Sequence, residues 1–163
     1  MDEADNHEAV LRFTEKLAIL LSESGMPRMS ARVFAYVLAD DADTYTARDL
    51  AEGLRVSPAA ISGAVRQLVQ AGLLARGREP GERSDFYRID GDDVWGTIMA
   101  QRKPFLERYI ELLTEGAREI GANRAGGRRL EETIEFYRFM DEELGHTLER
   151  WKDRRARWVA DGG

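Results

Sequence analysis

The chain has 163 residues, 43% of them hydrophobic, a net charge of −6 and no cysteine. That is enough apolar material for a core, and it excludes disulfides and thiolate metal sites. The longest apolar run, residues 33–39, is far short of the ~20 residues of a membrane helix. The acidic opening MDEADNHE is the opposite of a basic signal peptide, so a cytoplasmic protein is expected.

Charge is unevenly spread. Between residues 53 and 88, Arg55, Arg66, Arg76, Arg78, Arg83 and Arg88 face Glu79, Glu82 and Asp85, a balance of +3. The remainder holds 18 basic and 27 acidic residues, or −9. A basic module inside an acidic chain suits a face that meets phosphate, although many solvated surfaces are locally basic.

Val10, Phe13, Leu17, Leu20 and Leu21 recur at helical spacing and predict an amphipathic helix ending at Ser24-Gly25, before the turn at Pro27. His7 precedes this stripe in a terminus expected to be loose. Met29, Val33, Val37 and Leu38 predict a second helix, closed by the polar residues 40–43. Thr44-Tyr45-Thr46 has the composition of a very short strand. Thr46 with Asp49 resembles a capping box and opens a short helix through Leu54. Ser57-Pro58 starts the next helix, with Ser57 as the expected side-chain cap and proline in the first position, and Gly72 stops it. Residues 73–78 and 85–90 read as two strands around the turn-forming tip Glu79-Pro80-Gly81-Glu82.

From Asp92 onward the pattern is helical. Trp95, Ile98, Met99, Phe105, Tyr109, Leu112 and Leu113 keep helical spacing, with a kink expected at Pro104. GANRAGG, residues 121–127, is a break. Leu130, Ile134, Tyr137, Leu144, Leu148, Trp151 and Trp158 then form a heptad stripe, with Asp141 and Arg155 at its two remaining positions, and such a stripe needs a partner surface.

Residues 44–90 therefore spell strand, helix, turn, helix and hairpin. The fold class expected is mainly α with a small β-wing: a winged helix-turn-helix flanked by N- and C-terminal dimerisation helices. The expected division is 1–25 for the N-terminal dimerisation helix, 26–91 for the DNA-binding domain and 92–163 for the C-terminal helical dimerisation region.

In such a fold one helix braces a second whose exposed N-terminal half enters the major groove. Helix 57–71 suits that task. Ile61, Val65 and Leu68 can face the core, while Ser57, Ala59, Ser62, Gly63, Arg66 and Gln67 look outward. Small residues at 59, 60, 62, 63 and 64 would let the backbone approach DNA. Arg66 can bind guanine or a phosphate, and Gln67 can pair with adenine. Arg78, Arg83 and Arg88 lie on or near the hairpin, and an arginine just after the PGE turn suits a narrow minor groove. The competing reading is an ordinary helical and β-hairpin with solvated arginines.

The segments MPRMSARVFAYVLADD, DLAEGLRVSPAAISGAVRQLVQAGLL and PGERSDFYRI resemble the MarR superfamily, especially its GbsR-like branch, with the likeness running over about residues 10–158. The resemblance implies a homodimer on a pseudo-palindromic operator, usually a repressor, with DNA released by a small-molecule effector. It maps Ser57, Ser62, Arg66 and Gln67 onto the recognition helix and Arg83 onto the wing tip. Gly63 and Ala64 depart from the pattern, since many relatives carry larger residues there, and this bears on base specificity.

Aromatic mass concentrates in the C-terminal half. Trp95, Phe136, Tyr137 and Trp151 are candidate effector-binding residues, and relatives in the GbsR-like branch are linked to choline and betaine, which aromatic boxes hold by cation–π attraction. The alternative is that these rings are core or dimer seam. Enzymatic chemistry has little support. Glu142, Glu143 and His146 can share a helix face, but no third and fourth metal-ligand position accompanies them, and no nucleophile set or phosphate-binding loop appears. No catalytic residue, metal or cofactor is expected. The partners expected are double-stranded DNA, a second copy of the chain and a small effector, with no membrane. The alternative function is a winged-helix protein-interaction module without its own operator.

Overall fold

The computed structural model describes residues 3–81, 83–89 and 93–162. Among them run α1 (Glu3–Glu23), α2 (Arg28–Ala39), β1 (Tyr45–Thr46), α3 (Ala47–Gly53), α4 (Pro58–Gln70), β2 (Ala75–Gly77), β3 (Phe86–Arg88), α5 (Val94–Ala100), α6 (Lys103–Ile120) and α7 (Ala125–Ala160). The architecture is mainly α with a small antiparallel wing flanked by helices, as expected. The described residues form two compact units that divide between Val94 and Trp95. No described helix is long and apolar enough to cross a membrane.

In the first unit α1 packs along α2. Its buried line is Val10, Thr14 and Ala18, at strict four-residue spacing. Phe13 and Leu20, expected to face the core, are instead exposed. Small residues on the contact line let the two helices approach closely, and the larger side chains turn away. His7 lies inside α1, not in a loose terminus, with its ring edge-on to Tyr36 at 6.3 Å. Two arginines tie α1 to the rest of the unit: Arg55 pairs with Glu8, and Arg32 bonds Glu15 at 2.6 Å while reaching the Leu54 carbonyl at 3.4 Å.

The helix-turn-helix is built from local chemistry. The Asp49 N–H donates to Thr46 Oγ1 and the Thr46 N–H donates to Asp49 Oδ2 at 2.7 Å, so the capping box forms with aspartate in place of glutamate. At the other end of α3 the Arg55 N–H reaches the Glu52 carbonyl and the Val56 N–H reaches that of Ala51, a Schellman closure. It requires a left-handed residue, and Arg55 supplies it at φ +55° where glycine is usual. Gly72, at φ +69°, closes α4 in the same way. Ile61, Val65 and Leu68 are buried as expected. Ala64 is buried beside them, so it belongs to the core stripe and not to the small-residue face expected to approach DNA.

The sheet has the order β1-β3-β2, antiparallel throughout, with Tyr45 and Arg76 both opposite Tyr87. The wing strands are three residues each, shorter than the expected 73–78 and 85–90, and Gly81 turns the tip at φ +92°. Glu82 and Asp90 lie outside the described residues, as does Asp92, where the C-terminal helical pattern was expected to begin. Gly77 is required because a Cβ there would enter the Phe86 ring.

In the second unit the expected kink at Pro104 is a full break. α5 ends at Ala100 and α6 starts at Lys103, with Pro104 in the first turn of the new helix, where its missing N–H costs nothing. The expected break at 121–127 is shorter, since Gly126 and Gly127 already lie within α7. Gly127 is buried against the Gly121 carbonyl, which leaves no room for a Cβ.

α6 and α7 form an antiparallel hairpin. The Tyr109 and Tyr137 rings meet edge to face at 5.1 Å, and Gly116 faces Leu130. Both pairs place Lys103 roughly level with residue 143, so α7 runs on past the start of α6. Along α7 from Leu130 on, positions 130, 134, 137, 141, 144, 148, 151 and 155, with Thr133 beside them, are the more shielded ones, the spacing of the expected heptad stripe, whereas Trp158 is exposed.

Candidate nucleic-acid interface

α4 is a two-sided helix. Its inner side is closed by Ile61, Ala64, Val65 and Leu68. Its outer side carries two rows at four-residue spacing: Ala59, Gly63 and Gln67, and Ser62, Arg66 and Gln70. All six are exposed. The first row ends beside α2, where buried Ser30 donates its hydroxyl to Gln67 Oε1 at 2.7 Å. That bond occupies one lone pair of Oε1 and orients the amide, so a bidentate pairing of Gln67 with adenine has to use the other lone pair together with Nε2.

The second row borders the sheet. Ser62, Arg66 and Gln70 from α4, with Arg76 of β2 and Tyr87 of β3, line a groove of about 350 Å³. Arg66 has no ionic partner among the described residues. At the N-terminus of α4, Ser57 is exposed and extended, at φ −72° and ψ 147°. It makes no side-chain cap bond, contrary to expectation. Pro58 removes one of the orphan donors of the first turn and the Ala60 N–H bonds the Ser57 carbonyl at 3.0 Å, so the turn has few donors left to satisfy and the Ser57 hydroxyl is not used as a cap. Gly63 has open space around its α-carbon.

On the wing, Arg83 is exposed two residues beyond the Gly81 turn and has no partner among the described residues. Arg78 is different: its Nε donates to Asp85 Oδ1 at 2.9 Å, and its Nη2 stands 2.7 Å from the same oxygen. Arg76 Nη1 stands 3.6 Å from the other oxygen of the same carboxylate. Arg88 is exposed at the end of β3. Sequence reasoning passed over Arg76 and Asp85. The signal was present in the alternation, because period two puts Arg76 and Arg78 on one sheet face and Asp85 with Tyr87 on one face of the neighbouring strand.

The four candidate effector residues do not converge within one chain. Phe136 and Tyr137 meet edge to face at 5.4 Å, and Phe105 and Tyr109 continue the cluster. Trp151 is 14 residues beyond Tyr137 on the same helix, about 21 Å along its axis. Trp95 lies on α5 and is half exposed. Among the described residues no three His, Asp or Glu side chains gather as a metal site; His146 stands 3.8 Å from Glu143 on an exposed helix face.

Residues 24–83 match the MarR family, and residues 93–154 match the MmpR5-like MarR family transcriptional regulators. The chain is 23% identical over 155 residues to the HTH-type transcriptional regulator MmpR5 of Mycobacterium tuberculosis, covering 94% of this chain and 93% of that protein. Its fold is similar to a crystal structure of a transcriptional regulator, at a TM-score of 0.77 and 22% identity, covering 89% of this chain and 99% of the other.

Proposed function

We propose that this chain is a DNA-binding transcriptional regulator of the MarR family and works as a homodimeric repressor on a pseudo-palindromic operator. The observation that carries this reading is the outer side of α4. It combines small residues, an N-terminus without a side-chain cap and the guanidinium of Arg66, which has no ionic partner among the described residues, flanked by a wing that carries Arg83. α4 would enter the major groove through Ser57, Ala59, Ser62, Gly63 and Arg66, and Arg83 would follow the adjacent minor groove, with Arg78 and Arg88 at the backbone.

Dimerisation is supported by what the chain leaves uncovered. Phe13, Ile19 and Leu20 on α1, Phe105 and Leu112 on α6, and Phe136, Phe139 and Met140 on α7 are large apolar side chains exposed to solvent. A two-helix hairpin cannot bury its own apolar faces, and a second copy of the chain offers the matching surface.

An effector would act by favouring a dimer whose recognition helices no longer match one turn of DNA, ~34 Å. A hundredfold loss of operator affinity needs about 2.7 kcal/mol of coupling. The sequence resemblance favours the GbsR-like branch, and the match over residues 93–154 favours MmpR5-like relatives. A fall in operator affinity on adding choline or betaine is the result that would favour the former.

The test is binding of the purified protein to the upstream DNA of its own gene and to a random duplex of equal length, over a range of salt. Tighter binding to the first, with affinity falling steeply with salt, is expected. Equal affinity for both duplexes, or none at 50 mM salt, overturns the operator reading and favours a protein-interaction module.

A further inference from the structure

Resting on the DNA-binding reading, we propose that Asp85 is a built-in counter-anion. It fixes Arg78 and orients Arg76 at the groove between α4 and the sheet, for a backbone phosphate that takes its place as the partner of Arg76. Beside Val65 and Val69 the groove is lined by Ser62, Arg66, Gln70, Arg76 and Tyr87, which bring two guanidinium groups and several neutral hydrogen-bonding groups but no carboxylate. The carboxylate paired with Arg76 and Arg78 is Asp85, which is less exposed than either arginine. Its side chain is 22% exposed, against 61% and 63% for Arg76 and Arg78.

The two contacts are unequal. Arg78 is bound through two nitrogens at hydrogen-bond distance, whereas Arg76 stands at 3.6 Å, within ionic attraction and outside a hydrogen bond. Arg78 is therefore fixed and neutralised, and Arg76 is oriented yet available. A phosphate in the groove can bind Arg76 and Arg66 together and gain charge-assisted bonds. A polyanion that does not fill the groove meets a cluster of Arg76, Arg78 and Asp85 whose net charge is only +1. Asp85 is thus a positioning residue that limits attraction to arbitrary DNA and reserves Arg76 for a duplex seated against α4.

The test is the salt dependence of binding for a set of variants on the two duplexes named above. Asp85→Asn frees one wing charge and is expected to make the log–log salt slope on random duplex more negative by about 0.9, one added phosphate contact. Between 200 and 50 mM salt that amounts to about a three- to fourfold larger gain in affinity, with a smaller operator-to-random ratio. Arg76→Gln is expected to flatten the slope by about the same amount, and the double variant to return it to that of the parent protein.

Asp85→Glu keeps the charge and should keep the parent slope. An unchanged or shallower slope in Asp85→Asn, with helicity intact by circular dichroism, overturns the inference while leaving the DNA-binding reading in place. A double variant that fails to return to the parent slope overturns it too, even where Asp85→Asn alone is unstable. If the parent protein binds neither duplex, both readings fall together.

Discussion

Thr14 is fully buried between α1 and α2, and its Oγ1 has no hydrogen-bond partner among the described residues. A buried hydroxyl left unpaired costs about 1–3 kcal/mol, so the isosteric Thr14→Val should stabilise the protein by about 1 kcal/mol. In a chain of this size that is a rise of roughly 2–4 °C in the thermal midpoint. A fall instead would mean that the buried hydroxyl is paired in solution.

Tyr36 has the opposite character. Burial, and then the neighbouring Asp40 carboxylate, raise its phenol to about 12, because both disfavour the phenolate. Tyr45 donates to Asp40 at 2.9 Å and is shifted upward for the same reasons. A group raised in the folded state stabilises below its unfolded value and loses that contribution as pH climbs through the folded one. Stability should therefore decline between about pH 10 and about 12, and Tyr36→Phe should weaken that decline, as read from urea midpoints at each pH. On the DNA face, Arg83→Ala should weaken binding to all duplexes alike, and Arg66→Ala should also relax base preference in a competition assay. Equal affinity of both variants with the parent would remove the groove assignment.

At the scale of elements, the helix-turn-helix is held by end-capping that short helices cannot do without. α3 has seven residues, too few to be stable alone, and Thr46 joins its first turn to the strand that precedes it. Thr46→Ala should cost about 1 kcal/mol of stability in denaturant titration. Arg55 adds a tie of another kind, since its left-handed backbone closes α3 while its guanidinium holds Glu8 of α1 and keeps that carboxyl below its usual range. At the far hairpin, Gly127→Ala puts a methyl group into the Gly121 backbone, and an overpacking loss of about 1–3 kcal/mol is expected.

These devices differ in how visible they are along the chain. Thr46–Asp49, Ser57-Pro58 and Gly72 stand at fixed offsets from the helices they bound, so they could be read locally. The left-handed turn at Arg55 could not, because arginine carries no signal for it. Nor could the absent cap at Ser57, where the usual residue is present and its usual bond is not.

For the whole molecule, the proposal of a dimer rests on exposed apolar rings along α6 and α7. Phe136→Glu combined with Phe139→Glu should shift the mass by light scattering from dimer toward monomer, and should lower operator affinity with it, since one half-site cannot supply the binding of two. An unchanged mass would place the interface elsewhere, the exposed Phe13, Ile19 and Leu20 of α1 being the next surface to test.

The sequence by itself determined the order of elements in the winged module, the inward face of α4 at Ile61, Val65 and Leu68, and the heptad spacing of α7. Each follows from periodicity and end-capping, which act over a few residues. Only the tertiary structure decided which large residues of α1 turn outward, that Gln67 is engaged by Ser30, and how unequally Asp85 holds the two wing arginines. Those outcomes depend on how closely two surfaces approach and on pairs separated in the chain by a turn or a whole helix. No local pattern encodes such distances.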